Sequence, residues 1–457
     1  MSKIKYFLLL LLLSAGCSKL IDAPIPTNSL ISSSVFLDSI PAQSAVNGLY
    51  RQFYASSGSS YYDVSIQLDP ARLADETYSV SNALDNFSNN LLTPAENNIN
   101  LLWANSYANI YTANSIIKGA AESERLSASF KKQIIAEAMF MRALNYFYLV
   151  NYYGDVPLVL STDVTVTGRL PRSPVTAVYA QITEDLIAAR NNLSATYAWS
   201  QGDRTRANTW AASALLSRTY LYTGNWAAAE TEATRVIGQS ALFSLTPDPN
   251  NAFLKNSTES ILSFYANFNG YPQQSLPNSG NYLDGRVLPT YAIRKELLAA
   301  FEPKDTRATK WIGTATFNNV TYRFPYKYKS ITNVNTEFQI CLRLSEQYLI
   351  RAEARMQQGN LTGQNSTQSD LNLIRTRAGL ENTTASTTAA MTIAIAHERQ
   401  TELFVEWGDR WLNLKRTKTA DAVLAPVKAN WKTTSALYPI PQAAILTNPT
   451  LVQNPGY

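Results

Sequence analysis

Two helix-forming runs, 208–223 and 226–237, are separated only by Gly224 and Asn225. So short a link forces an antiparallel pair. Ala227, Ala228, Ala229 and Ala233 supply the small contact surface that a close helix approach needs. The same order returns in 344–358, a turn at Gly359-Asn360, a polar insert, and a helix over 369–378. Apolar positions at spacings of three, four or seven predict earlier helices through Ala42, Val46, Leu49 and Phe53, through Trp103, Tyr107, Ile110 and Ile117, and through Ala136, Phe140, Ala143, Phe147 and Val150. The last of these stops at Tyr153-Gly154-Asp155-Val156-Pro157, because glycine can take the left-handed cap and proline cannot continue a helix.

Helix, Gly-Asn turn and alanine-rich helix together resemble tetratricopeptide packing. The texture changes over 243–343, where Pro247, Pro249, Pro272, Pro277, Pro289, Pro303 and Pro325 interrupt any helix and aromatics crowd among Asn, Ser and Gly. Alternation through Thr321-Tyr322-Arg323-Phe324 and Tyr326-Lys327-Tyr328 predicts a hairpin there. The expected fold class is mainly α: tetratricopeptide-like helix hairpins with a loop-rich insert containing short strands. One domain over 35–457 is expected, with the helical scaffold at about 35–240 and 340–420 and the insert at about 243–343.

At the N-terminus Lys3 and Lys5 precede an apolar run of about half the roughly 20 residues needed to span a bilayer. The run ends in Leu12-Leu13-Ser14-Ala15-Gly16-Cys17, which reads as a lipoprotein signal (1–16) cleaved before an acylated Cys17, followed by a tether over 17–34; the alternative is a soluble secreted protein with an incidental cysteine. Ser14 stands where leucine is usual. With Cys17 acylated, Cys341 is the one remaining thiol, so no intramolecular disulfide can form. A formal charge of +5 without any Lys/Arg run gives no nucleic-acid footprint.

Chemistry is poorly supplied. There are 26 tyrosines but one histidine, His397, within the helical run Ala396-His397-Glu398-Arg399. No Gly-x-Ser-x-Gly elbow, second zinc-binding histidine, phosphate loop or calcium loop accompanies it. Glu402 and Glu406 lie one helical turn apart, on a helix expected from about Met391 to Arg416, and Arg399, Arg410 and Arg416 are the expected ion-pair partners. That seam, with Trp407 and Trp411, is read as packing. No enzyme activity, cofactor or metal is expected.

Several motifs then carry a family resemblance: Tyr153-Gly154-Asp155-Val156-Pro157-Leu158, Glu402-Leu403-Phe404-Val405-Glu406-Trp407-Gly408-Asp409-Arg410-Trp411-Leu412-Asn413-Leu414-Lys415-Arg416, Tyr438-Pro439-Ile440-Pro441-Gln442, and the terminal Gln453-Asn454-Pro455-Gly456-Tyr457. In this order they resemble the SusD/RagB family of outer-membrane nutrient-binding lipoproteins. Departures are Asp409 where His is common, Asn413 where Asp is common, and Ala443-Ala444 where an acidic residue often follows. The resemblance implies a lipid-anchored, surface-exposed outer-membrane protein. Such a protein captures oligosaccharides without catalysis and passes them to a SusC-like TonB-dependent barrel. The alternatives are peptide uptake within the same family, or a tetratricopeptide-type scaffold for protein partners.

Sugar rings present apolar faces edged by hydroxyls, so their sites need exposed aromatic rings beside amides, carboxylates and guanidinium groups. The early loop offers Tyr61, Tyr62, Asp75, Tyr78, Asn82, Asp85 and Phe87; the insert adds Tyr265, Tyr271, Tyr282, Asp284, Arg286 and Trp311. The expected contacts are Tyr78, Asn82, Tyr271, Tyr282, Arg286 and Trp311. Trp103, Trp210 and Trp226 are placed in the core.

Overall fold

The computed structural model describes residues 35–54, 63–265, 289–329 and 336–457. Among them ten helices of eight residues or more form the scaffold. These are α1 (Ser39–Tyr54), α2 (Asn97–Glu122), α3 (Ala128–Tyr153), α4 (Val175–Asn192), α5 (Thr209–Tyr222), α6 (Trp226–Ile237), α7 (Leu344–Gln357), α8 (Thr367–Arg377), α9 (Thr388–Glu402) and α10 (Asp409–Arg416). Six short strands pair two by two, all antiparallel: β1 (Thr77–Ser79) with β3 (Tyr291–Ile293), β2 (Ser260–Phe264) with β6 (Gln339–Arg343), and β4 (Ile312–Phe317) with β5 (Val320–Pro325). The protein is mainly helical, as its sequence predicts.

Helix α3 is central. Residues Tyr146 to Val150 are buried one after another, the mark of a helix covered on every side. It lies between α2 and α4, and the stack continues through α5, α6 and α7 to α8 and α9. Arg142 on α3 donates from Nε and Nη2 to both carboxylate oxygens of Asp185 on α4, at 2.8 and 2.6 Å, fixing that pairing. The α5–α6 hairpin forms as its two-residue link requires. Asn208 caps α5 by accepting from the backbone of Trp210 and Ala211, and Gly224 adopts a φ of +73° in the link. Gly154 closes α3 with a φ of +74°.

Three features depart from the sequence reading. Helix α4 was not anticipated, although Val178, Ile182, Leu186 and Ala189 make its buried stripe and Pro174 stands at its start. The helix expected from Met391 to Arg416 is broken in two: Val405, Trp407 and Gly408 are left-handed, at φ of 53°, 48° and 71°. Trp407 Nε1 donates to Ile340 O at 2.5 Å and Val405 N to Glu76, so tertiary bonds hold the break open. The predicted hairpin exists with another partner: Val320–Pro325 pairs with Ile312–Phe317 around left-handed Asn318 and Asn319.

The largest apolar cluster fills the helical stack; a second, around Phe253, Ile293, Trp311, Tyr328, Ile340 and Phe404, underlies the strands. Buried charges lie beside it. Arg343 donates to Glu402 Oε1 at 2.6 Å and to Glu406 Oε2 at 2.7 Å, Arg307 bonds Asp305, Glu398 and Glu402, Arg377 bonds Glu259 and Glu402, and Lys327 reaches Glu406. The expected salt-bridged seam is present, but its partners are corrected. Arg399 pairs with Asp409, Arg410 with Asp75, and Arg416 with Glu353. Burial pushes the Glu402 carboxyl up, but Arg377, Arg343 and Arg307 outweigh it and hold the group well below its ordinary range. No helix among the described residues is long and apolar enough to cross a membrane.

Candidate functional site

The early loop is fixed from beneath by a cation between two rings. The Arg72 guanidinium lies 4.9 Å from the Phe87 ring centroid and 4.8 Å from that of Tyr291, and it bonds Asp85 Oδ1 at 2.5 Å and Asp69. Asp85 Oδ2 in turn accepts from Ser88 N and Oγ, and Ser88 Oγ accepts from Ser79 N at 3.1 Å. Lys428 Nζ completes the lock by donating to Arg72 O and Ser88 O. The loop therefore reaches β1 with its backbone held.

On β1, Tyr78 stands opposite Ala292 of β3, and β3 packs beside β5. This puts Tyr78 near Tyr322 and Arg294. Partial burial, then the Tyr322 hydroxyl, raises the Tyr78 hydroxyl above its ordinary value, so it stays protonated and able to donate. Asn82 is exposed and caps its own turn, its Oδ1 accepting from Leu84 N at 3.0 Å. Thr290, whose carbonyl accepts from Val80 N, marks where the chain returns after 266–288. Before that segment Tyr265 is 57% exposed, with its ring 5.0 Å from Phe338.

Of the expected contacts, Tyr78 and Asn82 therefore share one loop and strand edge. Tyr271, Tyr282 and Arg286, like Cys17, lie outside the described residues. Trp311 is corrected: it is fully buried in the second cluster, its ring packs against Phe253 and Lys327, and Nε1 donates to Pro249 O at 3.0 Å. A ring with no face in solvent and its N–H bonded to main chain cannot stack on a ligand. Asp75, Asp85 and Phe87 are buried in the lock or beside it, with Asp75 gripping Arg410. Tyr322 and Arg294 were missed as site neighbours; the alternation of β5 was visible, but only the register of β1 on β3 brings them to Tyr78. Trp103 is buried as expected, whereas Trp210 and Trp226 are half-buried against their clusters.

His397 Nε2 is 2.7 Å from Ala300 O, on α9, and among the described residues no group of three His, Cys, Asp or Glu could hold a metal ion. The Tyr78 and Tyr322 hydroxyls, the Asn82 amide and the Arg294 guanidinium offer hydrogen-bonding groups beside a ring, which suits a polyol ligand.

Burial pushes the Lys428 ammonium from an ordinary 10.5 down to about 7, with Arg294 adding to the effect. Between those values the unfolded chain binds the extra proton, so this group makes stability rise with pH. Urea titrations from pH 7.5 to 9.5 are expected to show a flatter pH slope for Lys428→Met than for wild type, by up to about 1.4 kcal/mol per pH unit. Identical slopes would contradict this.

Comparison with known proteins places these features in context. Residues 30–221 match a family model described as SusD-like, starch-binding and associating with the outer membrane, and residues 308–457 match that of the SusD family. SusD-like protein P2 of Formosa agariphila is 26% identical over an alignment of 525 positions covering 99% of each chain. A solved laminarin-binding SusD-like protein superposes with a TM-score of 0.74 at 24% identity, covering 92% of this chain and 99% of its own. Surface glycan-binding protein A from Bacteroides fluxus gives 0.73 at 23%, covering 91% and 99%.

Proposed function

The chain belongs to the SusD/RagB family, and on that premise we propose that it is a non-catalytic glycan-binding lipoprotein of the outer membrane. It is anchored through acylated Cys17, faces the cell exterior, captures oligosaccharides and delivers them to a TonB-dependent barrel. The observation that supports the ligand class is the half-exposed Tyr78 ring on β1, with Tyr322 and Arg294 beside it and the exposed Asn82 four residues on in the same loop. Tyr271, Tyr282 and Arg286 belong to the segment leading into β3 and are proposed as further contacts. A laminarin-binding SusD-like protein and a surface glycan-binding protein share the fold, which supports the same ligand class here.

Glu402 and Glu406 are held by Arg307, Arg343, Arg377 and Lys327, which supports a structural role for them. Affinity gels cast with laminarin or starch test the glycan-binding reading. Retardation of the wild type, and a weakening of about 5- to 100-fold in Tyr78→Ala, is expected from loss of one stacking and hydrogen-bonding ring. Unchanged mobility of Tyr78→Ala in a gel that retards wild type would remove Tyr78 from the site.

A further inference from the structure

A second groove opens on the helical side of the molecule, and none of Tyr78, Asn82, Tyr322 and Arg294 lines it. Its volume is about 410 Å³, within the roughly 300–1,000 Å³ of small-ligand sites. The wall is α2, presenting Asn100, Trp103 and Tyr107; Pro157 and the short C-terminal helix Gln442–Thr447 close the other sides.

Trp103 is 8% exposed, its ring 5.0 Å from both Tyr107 and Tyr153. Packing fixes the indole, yet none of the described residues accepts from Nε1, which is not sealed from solvent. Asn100, one turn earlier, has a side-chain amide that likewise bonds none of the described residues. The Tyr107 hydroxyl is already spent on Pro157 O at 2.9 Å, and the Asn448 amide on Leu170 O at 2.9 Å. No ionisable side chain other than that tyrosine lines the groove. A purely apolar occupant would leave the indole N–H and the amide unpaired, which costs about 1–3 kcal/mol per group. A charged occupant would find no counter-charge.

We propose that this groove is a second saccharide site, in which a neutral pyranose lies along the Trp103–Tyr107 edge, accepts from Trp103 Nε1 and exchanges hydrogen bonds with Asn100. The proposal rests on the glycan-binding reading but uses none of its residues. Two separated sites on one chain would let it hold a polymer at two points and gain retention without tighter single contacts.

The indole N–H is its own reporter. With tryptophan labelled by 15N in the full chain, Trp103→Phe identifies the Trp103 signal, and laminarihexaose, maltohexaose and xylohexaose are each titrated to 20 mM. A saturable shift of that signal with at least one sugar is expected, weakened roughly 2- to 12-fold in Asn100→Ala. A Trp103 signal unmoved by all three overturns the proposal. Laminarin and starch gels run on the same chain keep the two readings apart: retardation with a silent Trp103 refutes the groove alone, and a shifting Trp103 without a Tyr78 effect refutes the loop edge alone.

Discussion

Arg343→Ala is expected to lose about 3–5 kcal/mol of stability, measured by urea or guanidinium unfolding. Arg343 is 2% exposed and sits where β6 runs into α7. Its guanidinium donates to Glu402 Oε1, to both Glu406 oxygens and to the Glu402 carbonyl, and lies 3.4 Å from Glu259. Removing it takes one cation from three buried carboxylates, leaving, among the described residues, Glu402 to Arg307 and Arg377, Glu259 to Arg377, and Glu406 to Lys327 alone. The same substitution should flatten the fall of stability below about pH 4.5 that Glu402 causes. The Glu402 carboxyl is held below its ordinary 4.5 in the folded state, so its contribution is present above that pH and fades as pH falls toward the folded value. With Arg343 gone the folded value moves back toward 4.5, so less of this contribution is left to fade. Arg343→Lys retains charge without the planar fork and should fall between. A loss below about 0.5 kcal/mol for Arg343→Ala would show that the cluster adds nothing beyond its own desolvation.

The second large effect lies at the break between α9 and α10. Gly408 has a φ of +71°, and a Cβ there would meet the Tyr152 hydroxyl and come within 3.0 Å of the Ile66 carbonyl. Gly408→Ala therefore combines a left-handed penalty of about 1–2 kcal/mol with overpacking of about 1–3 kcal/mol. Gly359→Ala is the control: its φ is +80°, but nothing lies within 4 Å of the added carbon, so only the first cost applies. Equal losses at the two positions would mean that the close approach of Tyr152 and Ile66 carries no weight. Because the Gly408 turn abuts the same Tyr152 that bonds Ile66, a disturbed turn should also loosen the segment leading to β1.

Much of the scaffold was legible because its signals are local. Gly224 and Asn225 fix a hairpin by length alone, and Asn208 and Gly154 cap helices with their own atoms. The α9–α10 break was not, since Leu403, Phe404 and Trp407 continue a helical period and the left-handed residues are held by Glu76 and Ile340, which are distant in sequence. Ion-pair partners failed for the same reason: Glu402 finds Arg307, Arg343 and Arg377 through folding, whereas the sequence offered only its neighbours. Trp311 shows how the site reading errs. Composition says that a region is rich in rings, but the direction of one ring depends on its start-of-strand position after the helix Thr306–Lys310, and this ring turns inward. Tyr78 and Asn82 remained candidates because a short strand and a capped turn keep them at the surface.

The account stands most directly on a mass balance. The full chain is equilibrated with laminarihexaose and maltohexaose, bound and free sugar are separated by ultrafiltration, and all recovered sugar is sized by chromatography. Saturable retention of at least one hexasaccharide, reduced in Tyr78→Ala and recovered wholly at its starting length, is the predicted result; retention of neither, or the appearance of shorter sugars in proportion to protein and time, would contradict it.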